Sequence, residues 1–349
     1  MKHCVHVFLG SYTSYIDDNL IGEGHGVYCA KLNLITGQLI QHDDVIIPNP
    51  SFLARGQNHP VIYAISEDKE SAGPRVSALT RGKGDGYSVL SSQRIPGDYA
   101  CHLAEFEGVL IVALYGTGAL LAYEILAGGA IGPLRCVIRH SGHSVNPQRQ
   151  GSPHPHQIYP LQTKGIFLVP DLGLDKVCAY SISQCRLIPQ PGLDLNLPAG
   201  SGPRHLVDFD EGNRLLVLGE LSACVYQYTW NGSRYILSGQ LELEPDVTLP
   251  DHGASTIKRH PYKRLCYAGS RSENAIYTMA LNQDDLVLTD VLYCDGCNPR
   301  DFSISPDGQW LVVGLLDSNE VHAYKLAEDG SLAMKPVVTS FISPACVVF

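Results

Sequence analysis

A period of about fifty residues runs through this chain, and no other feature restricts its fold as strongly. Short apolar runs, each entered through a small or polar cluster that usually holds proline, recur as "NPSFLA", "DYACHLAEF", "PHPHQIYP", "SGPRHLVDF", "DHGASTIKRH", "NPRDFSIS" and "SPACVVF". Aligned on their first shared apolar position, these repeats start at Ser51, Cys101, His156, Arg204, Ser255, Arg300 and Ala345, at intervals of 50, 55, 48, 51, 45 and 45 residues. Spacings of this size are those of four-stranded propeller blades. A second and a third β-rich run follow the starts, as in "KGIFLVPDLG" then "DKVCAYSI", with turn signals such as "SPDG" and "TWNGS" between runs. Helical periodicity is nearly absent, so the fold class is all-β.

The last start, "SPACVVF", has no strands after it, and the N-terminal "VHVFLGSYT" and "GVYCAKLNLITGQL" supply what it lacks. The expectation is a seven-bladed β-propeller in which one blade is closed by both chain termini, forming a single domain over residues 1–349. Closing the ring in this way hides sheet edges that would otherwise be open for pairing.

Composition narrows the function. With 44% hydrophobic and 17% charged residues the chain is globular, and it holds no apolar run of transmembrane length and no secretory leader pattern. A soluble, cytoplasmic protein with no membrane role is expected. Eleven scattered cysteines read as reduced thiols, and "CDGC" at Cys294 to Cys297 lacks the second ligand pair a zinc site needs. A net charge of −10 argues against nucleic acid as a partner. It also makes any gathering of arginines and histidines informative.

Such a gathering exists. The first strand of each blade lines the central channel, so equivalent positions converge although they lie ~50 residues apart. The aligned positions and their neighbours read Ser51/Phe52, Cys101/His102, His156/Gln157, Arg204/His205, Ser255/Thr256, Arg300/Asp301 and Ala345/Cys346, and the ends of second strands add Tyr115, Asp171, Glu220 and Arg271. Buried arginine and glutamate need partners or a ligand. A cationic ring in an acidic protein suits a small anionic molecule, which arginine binds in bidentate fashion. Four histidines between His140 and His156 suggest a metal at first sight, but no carboxylate cluster accompanies them, so no metal and no cofactor are expected. "GEGHG" at Gly22 to Gly26 precedes no helix and reads as a hairpin connection, and no G-x-S-x-G elbow supports a serine hydrolase. His156 sits at the channel position while His154 falls on the rim.

The segments "SPHPHQIYP…GIFLVPDLGLDKVCAY", "GPRHLVDFDEGNRLLVLGELSACVYQY", "AGSRSENAIY" and "NPRDFSISPDGQWLVVGLLDSNEVHAY" resemble the seven-bladed propeller lactonase family. That family includes propeller-type 6-phosphogluconolactonase and the fungal carboxy-cis,cis-muconate cyclase. The resemblance implies a catalytic set of His156 in "PHPH", Arg204 in "GPRH", Glu220 in "GELS" and Arg271 in "GSRSENAI". Arg300, His205, His102, Asp171 and Tyr115 complete the expected site as substrate-binding residues. The function expected is hydrolysis of an anionic sugar lactone such as 6-phosphogluconolactone by a monomer. His156 is the acid/base, Glu220 its partner or a second proton-transfer group, and the arginines hold the anionic group and the oxyanion. The alternatives are the muconate cyclase reaction, run through the same residues, and a non-catalytic propeller that binds partners on its faces. The last would lack the repeated Gly-His and Trp-Asp signatures of scaffold propellers.

Overall fold

The computed structural model describes residues 3–17, 20–82, 84, 86–244, 253–283 and 285–349. Asp251 and His252, which open the fifth repeat, lie outside them. Seven antiparallel sheets surround the axis, as the repeat predicts, six of four strands and one, in blade 4, with the two-residue strand Leu195–Asn196 added to its four. Blade 1 takes its innermost strand, Pro344–Val348, from the C-terminal end and the other three, Cys4–Ser11, Val27–Asn33 and Leu39–Val45, from the N-terminal end. Phe8 pairs with Val348 across that closure. The innermost strands of blades 2 to 7 are Phe52–Arg55, Ala100–Phe106, Tyr159–Leu161, Pro203–Phe209, Ala254–Arg259 and Pro299–Ile304.

Second strands such as Val109–Leu114 and Trp310–Leu315 are buried at every position, because each is covered on both faces by neighbouring blades. Apolar clusters fill each gap between blades. Leu103 and Leu110 of blade 3 pack with Tyr63 and Ile65 of blade 2, and the ring ends with Trp310 and Val312 of blade 7 against Val7 and Leu9 of blade 1. The core is therefore an annulus, and its polar hub is left for the site.

A sevenfold backbone pattern builds that hub. The residue just past each second strand, or in blade 2 the one after that, is Tyr12, Glu67, Tyr115, Leu172, Glu220, Arg271 or Leu316. Their N–H groups donate to the carbonyls of Ser343, Asn49, Tyr99, His154, Gly202, Gly253 and Asn298 respectively, at 2.7–3.1 Å. Five of the acceptor residues, Asn49, Tyr99, Gly202, Asn298 and Ser343, hold a left-handed φ between 42° and 61°. That turn swings the chain inward. Two residues later comes the aligned position, and in blades 1, 3, 5, 6 and 7 the innermost strand carries one residue more than its partner there. Such a bulge leaves its extra residue outside the ladder and re-aims its side chain.

Candidate active site

The bulges and the strand ends together line a pocket of about 630 Å³ at one mouth of the channel. Bulge positions contribute Cys101, Arg204, Arg300 and Ala345, and the equivalent positions in blades 4 and 2 contribute His156 and Ser51. Six of the seven strand-end residues join them: Tyr12, Glu67, Tyr115, Glu220, Arg271 and Leu316. A cavity of this size accepts a sugar-sized molecule.

Glu220 is the electrostatic centre. Its carboxylate is buried, with Arg149 Nη2 at 2.6 Å and Arg271 Nη2 at 3.1 Å from Oε1, and Arg204 Nε at 2.9 Å from Oε2. Burial alone would push the Glu220 carboxyl up, but Arg271, Arg204 and Arg149 outweigh it and hold the group well below the usual carboxylate range. The Glu220 carboxylate is thus spent on the three arginines, and no hydrogen bond joins it to His156, the partner expected for it. Arg204 is 5% exposed, and burial lowers its pKa to about 10. Its Nε–H is not aimed at Oε2, and both Nε and Nη1 are buried without a hydrogen bond. A buried guanidinium that lines a cavity and keeps two nitrogens without hydrogen bonds needs compensation, which an anion in that cavity would give.

Across the pocket, Arg300 donates to the Tyr12 hydroxyl, which donates to Glu67 Oε2 at 2.8 Å. The Arg300 guanidinium also lies over the Tyr12 ring, 5.0 Å from its centroid. Here one cation is balanced by one carboxylate. The surplus of positive charge therefore sits on the Glu220 side.

His156 takes its place through its own N–H, which donates to Pro170 O at 2.9 Å. Its ring lies edge-on to Tyr115 at 5.6 Å and to His205 at 5.5 Å, and its Nδ1 is buried without a partner. His154 stacks on Tyr115 at 4.3 Å and bonds the Tyr115 carbonyl at 2.8 Å through Nδ1, so it steadies a pocket wall from outside, as its rim position implied. The turn beneath is tight: a Cβ on Gly173 would lie 1.8 Å from Ser152 O. Gly173→Ala should displace the Ser152 to His156 segment at a cost of about 1–3 kcal/mol and reduce turnover with it. An unchanged melting temperature together with unchanged kcat would refute this.

Two expected substrate-binding residues do not reach the pocket. Asp171 is wholly buried and spent on structure, accepting from His154 N at 2.8 Å and Gly173 N at 3.0 Å and pairing with His140 Nδ1 at 2.6 Å. The strand-end equivalent in blade 4 is Leu172, one residue later, as its N–H bond to His154 O establishes. His102 lies below the pocket wall, its ring 4.0 Å from Phe52 and its Nδ1 accepting the Ile158 N–H at 3.2 Å. His205, by contrast, does line the pocket, with Nδ1 bonded to Thr256 Oγ1 at 2.9 Å. Tyr12, Glu67 and Arg149 were missed. Tyr12 and Glu67 occupy the same strand-end position as Glu220, so extending that alignment to blades 1 and 2 would have found them.

Burial pushes His102, His156 and His205 well below 6.5, and nearby cations add to it: Lys258 and Arg204 at His102, and Arg204 at the other two. All three are neutral when folded, and unfolding lets them take up protons below about pH 6.5. Stability should therefore fall as pH drops through that value, by up to about 1.4 kcal/mol per pH unit for each histidine. Urea midpoints at pH 7.5 and 5.5 test this, and coincident midpoints would contradict it.

The chain matches the family described as "Lactonase, 7-bladed beta-propeller" from residue 6 to residue 349. It belongs to that family. Its relatives include the 6-phosphogluconolactonase of Bacillus subtilis (strain 168), 22% identical over 97% of this chain and 98% of the relative. That of Formosa agariphila is 25% identical over 95% of each. Among solved structures, a Pseudomonas aeruginosa periplasmic gluconolactonase shares the fold with a TM-score of 0.89 at 21% identity, covering 99% of this chain and 98% of that one. A Lactobacillus plantarum protein matches with a TM-score of 0.86 at 25% identity, covering 99% and 98%. The enzymes among these relatives are named for lactone hydrolysis, and the muconate cyclase reading finds no support in them. Among the described residues, no helix is long and apolar enough to cross a membrane.

Proposed function

We propose that this propeller hydrolyses an anionic sugar lactone, with 6-phosphogluconolactone as the leading substrate. The observation that carries the reading is the buried Arg204 guanidinium, two of its nitrogens without hydrogen bonds, lining an arginine-rich pocket together with the neutral imidazole of His156. The names of the relatives point the same way.

In the proposed reaction His156 accepts a proton from water as its oxygen bonds to the lactone carbonyl carbon. The carbonyl oxygen becomes an oxyanion held by Arg204. When the intermediate collapses, the ring C–O bond breaks and the His156 imidazolium returns the proton to the leaving alkoxide, giving the open hydroxy acid. Glu220 moves no proton. It is a positioning residue that fixes Arg204 and Arg271 and, as an ionised carboxylate, leaves the pocket's cationic surplus on the side where the substrate anion binds. A cytoplasmic, monomeric enzyme completes the proposal, and the eleven unpaired cysteines suit a reducing compartment.

Acid release in a pH-stat, measured against spontaneous hydrolysis with 6-phosphogluconolactone and unphosphorylated gluconolactone, tests the reading. Turnover of at least one lactone that Arg204→Ala lowers by about 100-fold or more is expected. Hydrolysis no faster than buffer alone with both would overturn it.

A further inference from the structure

Three guanidinium groups share the Glu220 carboxylate, and they are graded by depth: the side chain of Arg204 is 6% exposed, that of Arg271 24% and that of Arg149 42%. We propose that Arg149 is the residue that selects a phosphorylated substrate, gripping a phosphate monoester at the pocket mouth while Arg204 serves the ester carbonyl below. The inference rests on the lactonase reading and adds to it a residue and a place for the second anionic group.

Neutralising Glu220 does not require Arg149. One carboxylate carries one charge, and the two deeper arginines already exceed it. Arg300 is no substitute at the mouth, because it is engaged with Tyr12 and, through that hydroxyl, with Glu67. The positive charge left over is on the Glu220 side and reaches solvent through Arg149. A phosphate monoester, which carries about −1.5 to −2 charges at neutral pH, is best held where part of its hydration shell survives. A transient oxyanion gains most from the dry donors of Arg204.

The connection that brings Arg149 in is built to hold it. Gln150, wholly buried, donates to Leu172 O at 2.9 Å and to Asp175 Oδ1 at 2.8 Å. Asn146 Oδ1 accepts the Gln148 and Arg149 N–H groups at 3.1 Å, and Ser144 Oγ donates to Asp175 Oδ2 at 2.5 Å. The backbone at 149 is thereby tied to blade 4 on both sides before any ligand arrives, which lowers the entropic cost of binding through this side chain.

The test compares kcat/KM for 6-phosphogluconolactone and gluconolactone in wild type, Arg149→Gln and Arg149→Lys, with circular dichroism melting as the control for folding. Calorimetric binding of the two products, 6-phosphogluconate and gluconate, runs beside it. In Arg149→Gln the preference for the phosphorylated lactone should fall by about 30-fold, chiefly through KM, and Arg149→Lys should recover most of it. A preference within about threefold of wild type in the glutamine variant overturns the assignment, as does an equal loss on both lactones, which a merely structural role would produce. Should wild type hydrolyse neither lactone, the lactonase reading fails by itself. Calorimetry then decides for Arg149: selective loss of 6-phosphogluconate binding in Arg149→Gln upholds it, and unchanged binding overturns it.

Discussion

His156→Asn is expected to lower kcat by about 1,000-fold with KM changed no more than a few-fold, since a positioned general base contributes on the order of 10²–10⁴ to such reactions. The substrate is held by arginines that the substitution does not touch, so the loss falls on the chemical step. The pH profile of wild type carries the same information. Burial and the Arg204 charge keep the His156 imidazole neutral well below 6.5, and the neutral form is the one that accepts the proton. Activity should hold as pH falls through 6.5 and decline only in more acidic solution. An acid limb at the ordinary histidine value, or a His156→Asn variant with wild-type kcat, would remove His156 from the role of base.

Glu220→Gln should have the largest effect on the fold itself. The side chains of Glu220 and Arg204 are 4% and 6% exposed, and removing the negative partner leaves the arginine buried without compensation. Breaking such a pair costs about 3–5 kcal/mol. The deficit is one of charge, so an added anion should repair part of it: inorganic phosphate should raise the melting temperature of the variant more than that of wild type. If Glu220→Gln melts with wild type and both respond equally to phosphate, the carboxylate is not the hub its three close arginines imply.

The blades were legible in the sequence because each needs the same turn, the same apolar inner strand and the same hairpins, which repeat at a nearly constant spacing. For the same reason the bulge residues Arg204 and Arg300, and the equivalent His156, could be named from alignment. Asp171 was misplaced because a strand end is uncertain by a residue, and in an alternating strand one residue changes the face. Here that difference separates a pocket wall from a buried cap on the turn at Gly173. His102 shows a different limit. Its position next to a bulge is like that of His205, but a flat Phe52 ring covers it. Arg149 left no trace in the repeat because it stands on a connection, where only tertiary contacts such as those of Gln150 and Asp175 decide what the chain approaches.

The closure of blade 1 also has a bearing on how the molecule is made. Phe8 and Val348 are paired in the ring but lie 340 residues apart along the chain. At synthesis rates of about 5–20 residues per second, the strand at Cys4–Ser11 waits roughly 20 to 70 seconds for its inner neighbour. Throughout that interval it offers an unpaired edge to any other strand it meets. Its vulnerability to mispairing therefore falls on the interval of synthesis, before the ring exists.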